Sequence, residues 1–202
     1  MRFETPRLTL RPYDPDFDND VADAYAMYAD PEVVRYLSGQ VVPDPETQRA
    51  RLRERRAFYA TLNNGTGVWA IVPRATGRVV GTALLKQLPR STAEFERGTD
   101  ASHPFTSSTN PADLTDDYEV GWHLARAHWG HGYATEAARA LVDYGFGVLN
   151  LETIYAVVNP ANAASIRVTQ RLGMTPLGRT RKYYNAEVEL FRLTRPATSS
   201  RS

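Results

Sequence analysis

Leu8 and Leu10 alternate with Thr9 and Arg11, the period of two that marks a strand with one face turned inward. After an acidic lead-in the period lengthens to that of a helix. One helix is predicted from about Asn19 to Ala29. A second is predicted from about Glu46 to Leu62, with Leu52, Arg55, Tyr59 and Leu62 on one face and Asn63-Asn64-Gly65 as its stop. Val68–Val72 and Val79–Leu85, separated by Pro73 and by Thr76-Gly77, are predicted to pair as a hairpin. From Pro89 to Asp117 the chain has no period and is rich in Ser, Thr, Asp and Pro, so a long loop is expected there. Tyr118–Leu124 returns as a strand, Tyr133 to about Phe146 as a helix and Thr153–Val158 as a short apolar strand. Asn162–Leu172 is a further helix, closed by Gly173, a residue suited to the left-handed position past a helix end. Strands Met174–Tyr184 and Val188–Leu193 follow, and the polar tail 197–202 is expected to be disordered. Hairpins in the middle and alternation with helices later predict an α+β (α/β) fold. Its centre is one mixed, mostly antiparallel sheet of about seven strands, flanked by helices in a single domain over 1–196.

Composition adds mainly exclusions. The length of 202 residues suits one domain with a sizeable core. A net charge of +1 gives no reason to expect a nucleic-acid, ribosome or membrane partner on charge alone. Cys is absent, which removes disulfides, zinc–thiolate sites and cysteine nucleophiles, so any thiol chemistry has to come from a ligand. Met1-Arg2-Phe3-Glu4-Thr5-Pro6 lacks an apolar signal core and no run is long enough for a bilayer, which makes the cytoplasm the expected compartment.

The candidate chemistry lies between Val120 and Ala137. A strand runs into the turn Gly130-His131-Gly132, and the turn opens a helix whose Ala134, Ala137, Ala138, Leu141 and Gly145 share one face, small enough to lie close against a sheet. Glycines that let several amides converge at a helix's positive end form an anion site, and the anion could be any of several phosphates. A dinucleotide fingerprint needs a third glycine, but Thr135 stands there; a nucleoside-triphosphate loop needs Gly-Lys-Ser/Thr, which is missing. The shorter Gly-x-Gly turn remains.

Three words together carry a resemblance: Trp129-Gly-His-Gly-Tyr-Ala-Thr-Glu-Ala137, Asn159-Pro-Ala-Asn-Ala-Ala-Ser-Ile-Arg-Val168 and Arg171-Leu-Gly-Met174. They resemble the GNAT superfamily of N-acetyltransferases. The opening Thr5-Pro6-Arg7-Leu8-Thr9-Leu10-Arg11, with Asp30-Pro31-Glu32-Val33-Val34, is most similar to the RimJ/RimL-like branch, which includes acetyltransferases of ribosomal-protein N-termini. One departure is Ala127, where the family turn commonly begins with Gln or Arg.

The resemblance implies acetyl-CoA as cofactor and an amine as acceptor, either a protein N-terminus or a small molecule. It implies that Gly130, His131, Gly132, Tyr133 and Ala134 hold the pyrophosphate. Val120, Gly121 and Trp122 would pair with the pantetheine arm and offer an N–H to the oxyanion, with Asn159 and Asn162 also facing the cofactor. Strand alternation puts Glu119, Gly121 and His123 on one face, where a desolvated Glu119 can serve as general base. Ser165 is the candidate acid toward the leaving thiolate, although Asn162 and Ser165 also suit a helix cap and first turn. Tyr183 and Tyr184 are alternative phenols, ranked behind it because late-strand tyrosines more often pack in a core or rim.

Other signals carry less. His123, His128 and His131 lack a ligand spacing for a metal, and Asp14, Asp16, Asp18 and Asp20 lack the Gly and Glu of a calcium loop. Arg49, Arg51, Arg53, Arg55 and Arg56 are expected on a solvated helix face. A homodimer stays open. The alternative function is a catalytically silent acyl-CoA-binding module, which needs the turn but neither Glu119 nor Ser165.

Overall fold

Leu8 and Leu10 are both fully buried, in the second strand of an eight-stranded sheet. The computed structural model describes residues 1–37, 40–93 and 110–196. Its strands are β1 (Phe3–Glu4), β2 (Leu8–Pro12), β3 (Gly67–Pro73), β4 (Gly81–Pro89), β5 (Leu114–Leu124), β6 (Thr153–Val158), β7 (Thr175–Thr180) and β8 (Val188–Thr194). They lie in the order β1-β2-β3-β4-β5-β6-β8-β7. All neighbours are antiparallel except β5 and β6. The β4–β5 ladder runs from Gly81 opposite Leu124 to Gln87 opposite Tyr118, whereas β5 and β6 share the single register pair Glu119 and Tyr155. Beyond that pair the sheet is split, and the split lies beside the candidate chemistry.

Helices cover both faces: α1 (Asp18–Tyr28), the four-residue α2 (Pro31–Val34), α3 (Pro45–Leu62), α4 (Tyr133–Gly147) and α5 (Ala163–Arg171). On one face Val21 and Ala24 of α1 and Leu52 of α3 pack on Tyr13, Ala70, Val72 and Val79. On the other, the small stripe Ala137, Ala138 and Leu141 of α4 packs on Leu8, Ile71, Leu85, Val120 and Ile154. Local signals set the ends. Asp44 accepts the Thr47 N–H and Pro45 occupies the first turn of α3, which closes on Asn63 in the left-handed region, φ 42°. Gly173 ends α5 with φ 77°.

Four expectations change. The sheet has eight strands rather than about seven, because Phe3–Glu4 pairs with Thr9–Leu10. The loop expected over 89–117 gives up its last four residues to β5: Leu114 pairs with Pro89 across a bulge at Gln87/Pro89, so the irregular ladder hides the strand period. Residues 94–109 of that loop, like the tail 197–202, lie outside the described residues. The strand expected over Met174–Tyr184 stops at Thr180, and Tyr184 turns the chain at φ 62°. Last, the arginine run is not simply solvated. Arg49 pairs with Asp18, Arg53 with Asp16, and Arg56 with both Asp16 and Asp14, so the two charge runs join α3 to the lead-in of α1.

Gly81 is required by close approach. A Cβ there would lie 2.5 Å from the His123 carbonyl oxygen and also strike Leu124. Backbone cannot yield as a side-chain tip can, so Gly81→Ala is expected to cost about 1–3 kcal/mol. The check is a lower urea midpoint at unchanged slope. Gly147→Ala, which meets nothing within 4 Å, is the control and should not lower the midpoint.

Candidate active site

The pleat of β5 sorts its side chains as alternation predicts. Val120 enters the core under α4, while Glu119 and His123 point to the face of α1 and α3. Glu119 is 5% exposed, and its register partner Lys86 holds Nζ 3.4 Å from Oε1. Burial pushes the carboxyl up to about 7, against the pull of the Lys86 charge. The same ammonium lies 4.9 Å from the centre of the Tyr184 ring. His123 shares a 3.0 Å hydrogen bond between Nδ1 and the Tyr28 hydroxyl. Tyr28 and Tyr13 both meet the Thr82 hydroxyl, and Tyr13 donates to the Gly81 carbonyl. Burial, with the charges of Arg55 and Lys86, pushes the imidazole down to about 3, so it is neutral at any working pH.

Gly130 and Gly132 have φ of 80° and 78°, a conformation an L side chain adopts only at a cost. Gly132 caps α4 with no side chain bonded to the first-turn amides, which by helix geometry have no acceptor within the helix. Three anchors hold the turn from outside. The Trp129 indole donates to the Leu124 carbonyl at 2.8 Å, and Arg7 donates to the His131 carbonyl at 2.9 Å. Glu136 accepts from the Thr5 hydroxyl, the Arg7 N–H and the Arg7 guanidinium at 2.6–2.9 Å. Burial tends to raise the Glu136 carboxyl, but those bonds outweigh it and hold the group below its usual range. The Thr135 hydroxyl oxygen, in the first turn of α4, is buried without a partner.

On α5 the Asn162 side chain accepts the Ser165 N–H at 3.1 Å, so the expected cap is present. One cavity of about 1060 Å³ joins these parts. Of the predicted site residues, Glu119, Val120, Gly121, Trp122, Gly130, Gly132, Ala134, Asn159, Asn162 and Ser165 line it. His131 and Tyr133 do not: their rings stack 5.6 Å apart and Arg7 lies over Tyr133, which puts both side chains outside the turn. Gly121 has a packing reason as well, since a Cβ there would come within 2.9 Å of Leu84. The tyrosines separate. Tyr184 lines the cavity, whereas Tyr183 donates to Asp117 at 2.6 Å, away from it. Among the described residues no group of three His, Cys, Asp or Glu could hold a metal. No helix among them is long and apolar enough to cross a membrane.

Sequence reasoning missed Thr135, Lys86 and the clamp of Thr5 and Arg7 on Glu136. Thr135 was visible only as a missing glycine, and the clamp joins residues about 130 positions apart.

The acetyltransferase (GNAT) domain model matches residues 7–175, and the chain belongs to that family. It is 30% identical over 186 residues to an uncharacterized N-acetyltransferase, p20, of Bacillus licheniformis, covering 92% of this chain and 89% of that one. An acetyltransferase from Agrobacterium tumefaciens has the same fold at TM-score 0.68 and 26% identity, over 96% of this chain and 95% of its own. The ribosomal-protein-S5-alanine acetyltransferase of Vibrio fischeri also superposes at TM-score 0.68, over 98% of each chain, and at 16% identity shares the fold alone. GNAT acetyltransferases use acetyl-CoA. The residues present fit it: a turn with two left-handed glycines, open first-turn amides and an orphaned hydroxyl are what a pyrophosphate needs.

Proposed function

We propose that the chain transfers the acetyl group of acetyl-CoA to a primary amine, as a RimJ/RimL-like member of the family with Glu119 as general base and Ser165 as general acid. The observation that carries this reading is the continuity of one cavity from the Gly130–Gly132 turn, past the β5–β6 split, to the buried carboxyl of Glu119. The first-turn amides of α4 and the Thr135 hydroxyl bind the pyrophosphate. Along the split, β5 has no β6 partner beyond Glu119, so the backbone groups of Val120–Trp122 that are not paired with β4 can bond the pantetheine amides and the developing oxyanion. Glu119 removes a proton from the amine as its nitrogen bonds to the acetyl carbon. Ser165, whose hydroxyl is not used by the cap, gives a proton to the sulfur as the carbon–sulfur bond breaks. The branch is supported by Thr5 and Arg7 of the opening word meeting Glu136 of the turn word.

A mass-spectrometric screen of peptides and small amines with acetyl-CoA tests the reading, and an N-acetyl product is expected. Tight cofactor binding with no product from any amine would instead make the chain a binding module. Thr135→Val isolates the phosphate contact. Losing one charge-assisted hydrogen bond should weaken coenzyme A about tenfold. Because the free chain leaves that hydroxyl unpartnered, its melting temperature should hold or rise. A wild-type dissociation constant in calorimetry would remove Thr135 from the site.

A further inference from the structure

The two charge runs leave a remainder. Arg49, Arg53 and Arg56 answer the aspartates at and before the start of α1, but Arg51 and Arg55 have no ion-pair or hydrogen-bond partner among the described residues. Helix geometry explains the division. Gln48, Arg51, Arg55 and Tyr59 stand at i, i+3, i+7 and i+11, one stripe of α3, and that stripe is a wall of the cavity. Arg55 is half-buried and close enough to His123, Tyr59 and Tyr13 for its charge to act on all three. It therefore stands on the Glu119 face of the sheet, opposite α4 and its phosphate-binding turn.

The charge balance of the cavity points the same way. Among the described residues, six basic side chains line it against three acidic ones. Lys86 is matched by Glu119 and Arg35 by Glu32, while Arg167 and Arg171 stand on α5 at the cofactor end. Among the described acidic residues of the cavity that leaves Glu54 for Arg51 and Arg55, and Glu54 is exposed and pairs with neither. A diamine entering here would bring a second cation toward two guanidiniums. A half-buried guanidinium with no counter-ion pays desolvation without return, and its planar fork of donors matches a carboxylate.

We infer that the acceptor is an amino-carboxylate, a small molecule carrying its primary amine and a carboxylate together, and that Arg55, with Arg51 beside it, holds the carboxylate while the amine faces Glu119. This rests on the acetyl-transfer reading above and narrows its acceptor.

The experiment measures acetyl-CoA-dependent thiol release by the full chain with matched acceptors: amino acids, their carboxamides, the corresponding decarboxylated amines, and spermidine. Amino acids should exceed their carboxamides by about tenfold or more in kcat/KM, with the difference in KM. Arg55→Gln should erase that preference and Arg55→Lys should keep part of it, while coenzyme A affinity, measured by calorimetry on each variant, reports that the site is folded. Carboxamides or spermidine equal to or better than amino acids in the wild type would overturn the inference and leave the acetyltransferase intact. So would Arg55→Gln slowing all acceptors alike or weakening coenzyme A. A chain that binds acetyl-CoA and acetylates no member of the panel would overturn the transfer reading itself, and this inference with it.

Discussion

Glu119→Gln is expected to lower kcat by about a hundredfold to a thousandfold while changing acetyl-CoA affinity by no more than about twofold. The amide keeps the size of the side chain and removes only its ability to accept a proton. The Gly130–Gly132 turn, proposed to hold the pyrophosphate, begins eleven residues later and is anchored by Arg7, Trp129 and Glu136, none of which touches Glu119. The pH dependence follows from the sign of the shift. Burial favours the protonated carboxyl up to about pH 7, and only the deprotonated form is a base, so kcat/KM should rise with pH and level off above about 7. The variant should lose that limb. Lys86 pulls the carboxyl the other way, so Lys86→Met should move the midpoint upward. A Glu119→Gln enzyme with wild-type kcat, or an unchanged acidic limb, would assign the proton to another group.

Asp20→Ala is expected to destabilise the fold by about 3 kcal/mol. Asp20 is 1% exposed and takes both forks of Arg11 at 2.6 and 2.7 Å, plus the Asp14 N–H. Its removal leaves a partly buried guanidinium without its counter-ion and the Asp14 N–H without its acceptor, and it frees the start of α1 from β2. The four alternating aspartates look equivalent in sequence, yet Asp16, more than half exposed, forms pairs with Arg53 and Arg56 that solvent screens. Asp16→Ala should cost under about 1 kcal/mol. Urea unfolding of the two variants side by side makes the comparison. Equal losses would mean that Asp20 contributes no more than a surface pair.

How much of this is legible in the sequence depends on the range of the interaction. Features decided within one turn of chain are written locally: the Gly130–Gly132 dihedrals, the Asn162 cap four residues from the strand, the left-handed Gly173 and the sorting of Glu119 from Val120. Features decided across the sheet are not. The strand character of Leu114–Asp117 comes from β4 beside it and not from an apolar period, since those residues are half-buried or exposed. The same holds for Arg55. Five arginines in one run read alike until the aspartates choose three of them and the helix turns two toward the cavity. Lys86 needs the β4–β5 register before it becomes the partner of Glu119. The orphaned Thr135 hydroxyl shows only against a full account of its neighbours.

The single register pair between β5 and β6 also bears on how this protein avoids aggregating. A split sheet has two inner edges whose amides and carbonyls invite a stray strand from another molecule. Here the edges share one pair, at Glu119 and Tyr155, and then part company, so an intruding polypeptide cannot match both at the regular spacing of a ladder. A slender, unbranched chain with only a few amides can follow such a gap where a β-strand cannot. An opening of this shape, where the cofactor is proposed to enter, thus discriminates against the polypeptide partners that an exposed edge would otherwise recruit.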